Sequence, residues 1–250
     1  MINPLSLSGK NIMVVGAASE TGWSIVSVLQ QLGAMVIMMD KENVQQDVSN
    51  NTLPDGTISL TFDIYDVALI EEQISAIYKN LGVVHGLVYC AGIGGVRPLG
   101  LTTNIFATEM MNANFFAFLE FVRCVTKKGR LVAGGSIVAV SSVSSIKGLK
   151  SKIAYAASKA AADAAVRCMA AELSEKRIRV NSILKGWVTS DMGKDFIVNN
   201  RSIDHDNDYN RQLLGAIKPE ELANTTAFLL SDAAVSITGT SLLLDGGYSL

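Results

Sequence analysis

Short, densely apolar runs recur along the chain at 11–15, 34–39, 57–62, 84–89, 136–141, 179–184 and 241–244: NIMVV, AMVIMM, TISLTF, VHGLVY, SIVAVS, RVNSIL and SLLL. They lack a clean apolar/polar alternation, as expected of strands covered on both faces. Between them, 22–32, 67–79, 105–127, 153–175 and 219–231 carry apolar residues at helical spacing. The last opens on Pro219-Glu220-Glu221, residue types that suit a helix start. Strand runs alternating with helices predict an α/β protein: one doubly wound domain over 1–250, with a seven-stranded parallel sheet between helical layers. Residues 41–56 are polar without an apolar stripe. Residues 190–216 form a long polar insertion, predicted to be a lid over a binding site.

Composition changes this picture little. At 250 residues and 49% hydrophobic, the chain suits one large domain with a substantial core. A formal net charge of −2, with scattered basic residues, gives no footprint for nucleic acid or an anionic membrane, so small molecules and protein are the expected partners. Cys90, Cys124 and Cys168 have neither disulfide nor zinc spacing and read as buried small hydrophobes. The opening MINPLSLSGK lacks a leader pattern and no uncharged apolar run approaches a membrane span, so a cytoplasmic location is expected.

The candidate chemistry begins at VGAASETG, 15–22, between the first strand and first helix. Gly16 and Gly22 would let backbone N–H groups and the helix dipole face a phosphate, although an ordinary tight turn explains two glycines equally well. Asp40, 24 residues after Gly16, ends the next strand where a carboxylate would meet an adenosine ribose and repel a 2′-phosphate. Tyr155 and Lys159, in YAASK, are four apart and share a helix face. A free phenol titrates near 10, and a neighbouring cation would lower that. Ser142 follows the apolar run 136–141, at a strand end where ligands sit. Asn112 and Asn114, in MMNANFFAF, are equal candidates by pattern alone. His85 reads as structural, and neither it nor His205 sits in a hydrolase or metal-site pattern.

Together these residues resemble the short-chain dehydrogenase/reductase family over almost the whole chain, with the nearest likeness to its 3-oxoacyl-carrier-protein reductase-like members. The resemblance implies a Rossmann-type fold with strand order 3-2-1-4-5-6-7 and a catalytic tetrad of Asn114, Ser142, Tyr155 and Lys159. It also implies NAD(H), preferred over NADP(H), held by the loop Gly16, Ser19, Glu20, Thr21 and Gly22 and by Asp40, Asp63-Ile64 and Cys90-Ala91-Gly92. Gly186, Val188 and Thr189 would line the nicotinamide, Tyr155 and Lys159 would contact the cofactor too, and Asp245-Gly246-Gly247 fits near the end. Val15, Glu20, Tyr89-Cys90 and Lys185 depart from the family pattern. The implied activity is interconversion of a ketone (3-oxoacyl, sugar or other small carbonyl compound) and a secondary alcohol in a homotetramer or homodimer. A non-catalytic NAD(H)-sensing or scaffold protein of the same fold is the alternative. An enoyl reductase is disfavoured by the Tyr155-to-Lys159 spacing.

Overall fold

The computed structural model describes residues 3–41, 57–127, 129–189 and 211–250. Its strands are β1 (Asn11–Val15), β2 (Met35–Asp40), β3 (Thr57–Thr61), β4 (Val84–Tyr89), β5 (Leu131–Ser142), β6 (Arg179–Lys185) and β7 (Ser241–Leu244). All pair in parallel, in the order β3-β2-β1-β4-β5-β6-β7. The chain therefore reverses its direction of travel across the sheet beside β1, where doubly wound sheets open a crevice at the strand carboxyl ends.

Strand parity explains the absence of alternation in the sequence. Met13, Val15, Ile37 and Met39 pack under helices α2 (Val67–Leu81), α4 (Ala117–Val125) and α5 (Ile153–Leu173). Their neighbours Ile12, Val14, Val36 and Met38 pack against α1 (Glu20–Gln31) and α6 (Pro219–Leu230). With both faces buried, every strand position favours an apolar residue, each contributing about 1.5–3 kcal/mol where a large side chain is fully buried.

Two elements differ from the sequence expectation. β5 begins at Leu131, five residues before the apolar run, because its pairing to β4 shifts between Val84 and Gly86 and absorbs the segment containing Gly134 and Gly135. The helix expected over 105–127 is α3 (Asn104–Met111) followed by a π turn, Asn112–Phe116, and then α4. Ala117 N–H closes that turn on the Asn112 carbonyl, and the Ala113 carbonyl accepts the Tyr89 hydroxyl at 2.7 Å. Among the described residues no helix is long and apolar enough to cross a membrane. The stretch 42–56 and most of the expected lid, 190–210, lie outside the described residues.

Candidate active site

The carboxyl ends of β1, β2, β4, β5 and β6 bring the candidates to one edge of the sheet. Gly16 follows β1 with φ +89 and donates its N–H to the Met39 carbonyl at 2.8 Å. A Cβ there would stand 2.4 Å from Ala91 N. Ser19 caps α1: its Oγ accepts from Gly22 N at 3.0 Å and donates to the Gly16 carbonyl. A Cβ on Gly22 would lie 2.1 Å from that same carbonyl. The sequence reading gave phosphate to the amides of Gly16 and Gly22, and here both amides have protein acceptors. The glycines serve instead to let the loop fold flat against β4 and the helix start. Other first-turn donors, Thr21 among them, remain for an anion at the positive end of α1.

Asp40 ends β2 beside this loop and its Oδ2 accepts from Ala18 N at 2.9 Å. A carboxylate and a helix N-terminus at adjacent strand ends fit the ribose and pyrophosphate of a dinucleotide. Glu20 is exposed at the first residue of α1, and the cap comes from Ser19. Its charge therefore sits near the anion end without supplying the cap. Glu20→Gly is expected to tighten NADH binding about two- to five-fold at low salt and less at high salt, where an exposed charge is screened. Fluorescence titration at two ionic strengths checks this, and loss of binding would mean that the carboxylate makes a required contact.

The remaining loop residues have mainly architectural contacts. Asp63 is exposed and accepts from Tyr65 N at 3.0 Å in a turn, while Ile64 packs on the core. Cys90 directs its Sγ to the Val15 carbonyl at 3.0 Å, and burial pushes its thiol up to about 12. Cys124 is buried as expected, whereas Cys168 is exposed. His85 accepts from Asn11 N through Nδ1, the structural role expected of it. The Tyr89 phenol is fully buried among Phe118 and Phe121, and burial drives its pKa strongly upward, so it acts as a hydrogen-bond donor.

The structure separates Asn114 from Asn112. Asn114 is 2% exposed in the π turn, its Oδ1 accepting from Ile93 N and its Nδ2 donating to Ile93 O and Ser158 Oγ, all within 3.0 Å. Ser158 in turn donates to the Tyr155 carbonyl at 2.8 Å. Asn112 is half-buried beside Tyr65 and Ile105, away from this network. Gly92, at φ +155, leaves room for Asn114: a Cβ there would be 2.4 Å from Asn114 Oδ1.

Lys159 is buried one helical turn beyond Tyr155, its Nζ donating to the Val140 carbonyl at 2.9 Å. Burial and the Lys185 charge bring it down to about 8, with Asp163 acting in the opposite direction. Burial raises the Tyr155 phenol, while its hydrogen bond with Ser142 pulls the other way. The expectation that Lys159 lowers this phenol is not met here. Its ammonium is 6.0 Å from the ring centroid and engaged with Val140, leaving desolvation dominant.

Ser142 and Tyr155 line one cavity of about 250 Å³, together with Lys152, Lys185, Trp187 and Tyr248. Ser142 ends β5, where its Oγ accepts from Ser144 N at 3.2 Å. Gly186 and Val188 line the same cavity, and Thr189 donates its N–H to the Ile217 carbonyl at 2.8 Å. Gln212 lies in the segment read from sequence as a lid, yet it is buried and clamps Trp187 through both backbone groups. A lone polar residue in a polar stretch gave no sign of that role. No group of three or more metal-ligating side chains occurs among the described residues.

Residues 16–249 match a family model described as enoyl-(acyl carrier protein) reductase. The chain is similar to an NAD-dependent glycerol dehydrogenase of Listeria innocua, 28% identical over 248 residues, covering 98% of this chain and 96% of the relative. It is 33% identical to an L-xylulose reductase of Caenorhabditis elegans, with 96% of each chain covered. A solved short-chain dehydrogenase/reductase from Serratia marcescens superposes with TM-score 0.86 at 25% identity, covering 99% of this chain and 100% of the other. With this fold, these shared stretches and 3-oxoacyl-carrier-protein reductases also among its relatives, the chain belongs to the short-chain dehydrogenase/reductase family.

Proposed function

We propose that the chain is an NAD(H)-dependent oxidoreductase that interconverts a small ketone and a secondary alcohol. The observation that carries this reading is the opening of Ser142 and Tyr155 on one cavity, with Lys159 and Asn114 buried directly behind them. Nicotinamide, when bound, supplies or accepts the hydride. Asp40 and the first-turn donors of α1 would hold its adenosine and pyrophosphate, and Val188 and Thr189 the ring end. Ser142 Oγ donates to the substrate oxygen, a bond that strengthens as negative charge develops there. Tyr155 delivers the proton to that oxygen in reduction and removes it in oxidation. The Lys159 charge favours the phenolate once the oxidised-state proton has left. Asn114, fixed by Ile93, would order the water that passes this proton outward.

The same reading makes the chain a homotetramer or homodimer in the cytoplasm. Ile105 on α3, Phe116 in the π turn, Leu119 on α4 and Ile153 on α5 are exposed apolar residues that a second copy would cover.

NAD(H) is favoured over NADP(H) because the Asp40 carboxylate stands where an added ribose phosphate would be repelled. Calorimetry at matched salt is expected to give at least ten-fold tighter NADH binding, equivalent to about 1.4 kcal/mol. Equal or tighter NADPH binding overturns the assignment. Screening ketones with NADH and alcohols with NAD tests the reaction itself, and cofactor binding without turnover of any carbonyl compound would favour the sensing alternative.

A further inference from the structure

Lys185 is the last residue of β6 and is paired across the sheet with Ser142, the last residue of β5. Neighbouring strands lie about 4.8 Å apart, so the two residues start side by side, and both line the same cavity. Lys152 approaches from the cavity's other wall, its Nζ 4.8 Å from the Trp187 ring and 5.7 Å from the Tyr155 ring. No residue lining the cavity is acidic among those described. Asp245, just past the end of β7, spends its oxygens on Gly247 N and on the N–H and hydroxyl of Ser249. The described ion pairs do not include Lys185.

A buried ammonium facing a second lysine is costly without a counter-charge. Burial and Lys152 bring Lys185 down to about 8, which still leaves it mostly charged at neutral pH. An oxyanion entering the cavity would replace that repulsion with a charge-assisted hydrogen bond. We propose that the substrate is a small hydroxy or keto compound carrying an oxyanion, a carboxylate or phosphate, within a few bonds of the reacting carbon, held by Lys185 with Lys152 at the mouth. This rests on the oxidoreductase reading above. The strand spacing sets the short separation: the group on Lys185 and the oxygen on Ser142 belong to one small molecule. The cavity of about 250 Å³ suits such a molecule.

Matched pairs test it: lactate against 1,2-propanediol, 3-hydroxybutanoate against 1,3-butanediol, and glycerol 1-phosphate against glycerol, each with NAD. At least one anionic member is expected to exceed its neutral partner 30-fold or more in kcat/KM, and the preferred pair distinguishes carboxylate from phosphate. Lys185→Met should cut that ratio at least ten-fold, mainly through KM, and Lys185→Arg should retain most of it. Lys185→Gln replaces the Met variant if thermal melting shows that the latter is unfolded. Neutral members turned over as well as anionic ones, or a ratio unchanged by loss of the Lys185 charge, would overturn the proposal.

A second measurement separates this proposal from the activity itself. Malonate, inorganic phosphate and neutral malonamide are titrated onto the NADH-loaded protein and onto Lys185→Met. At least ten-fold tighter binding of malonate or phosphate by wild type supports the anion site even if no compound is turned over, in which case only the oxidoreductase reading fails. Turnover of neutral ketones, with no Lys185-dependent anion binding, leaves the oxidoreductase reading intact and removes this proposal.

Discussion

Tyr155→Phe is expected to lower kcat by about 10²- to 10⁴-fold, the range a positioned acid or base contributes, while NADH affinity stays within about three-fold of wild type. Phenylalanine fills the same volume on α5 and removes only the hydroxyl that shares the cavity with Ser142. Because burial raises this phenol, it carries its proton at neutral pH and is ready to donate in carbonyl reduction. Oxidation needs the ionised form, so its rate should climb as pH rises through the alkaline range, while reduction should not. Lys159→Ala should weaken both turnover and cofactor binding, since Lys159 lies at the back of the same network, beside Gly92. Stopped-flow kinetics on an identified substrate decide this, and a Phe variant with a near wild-type rate would end the proton-transfer assignment.

Gly16→Ala should have the largest effect on the fold. Its φ of +89 disfavours any Cβ, and that Cβ would lie 2.4 Å from Ala91 N and 2.6 Å from Ala91 Cα, backbone atoms that cannot swing aside. Strain and overpacking together should cost about 2–5 kcal/mol. In a domain of this size that is a fall in Tm of roughly 5–15 °C. NADH binding should drop at least ten-fold, because the loop before α1 must lift and the floor under Asn114 moves with it. Calorimetric melting and NADH titration read the two effects, and a variant with unchanged Tm and affinity would show that the loop has space not evident here.

Much of the fold was legible because burial on both faces leaves a strong mark. NIMVV, VHGLVY and SLLL coincide with β1, β4 and β7, since each run ends where the chain leaves the sheet. The start of β5 was not legible, because Gly134 and Gly135 carry no side chain to signal a strand. Nor was the π turn, whose cause is a contact from Tyr89, 24 residues earlier in the chain, to a backbone carbonyl. At the site, sequence pattern marked Ser142, Tyr155 and Lys159, and the structure brings them together. It could not choose Asn114 over Asn112, a choice made by the Ile93 backbone. Lys185 stood out only as a misfit, and its meaning emerged when β6 was seen to deliver it beside Ser142.

The extra residue in the Asn112–Phe116 turn sets regularity against placement. Removing one residue there would restore an unbroken α-helix and its ordinary ladder, yet the downstream half would rotate by roughly 100° relative to the half before it. Asn114 would then leave Ile93, and the Tyr89 hydroxyl would lose its acceptor inside the core. A helix made more regular would thus be a poorer part of this molecule. The irregularity is held by a buried hydroxyl rather than by anything at the surface, so selection for thermal stability alone would tend to erase it, and selection for turnover would keep it.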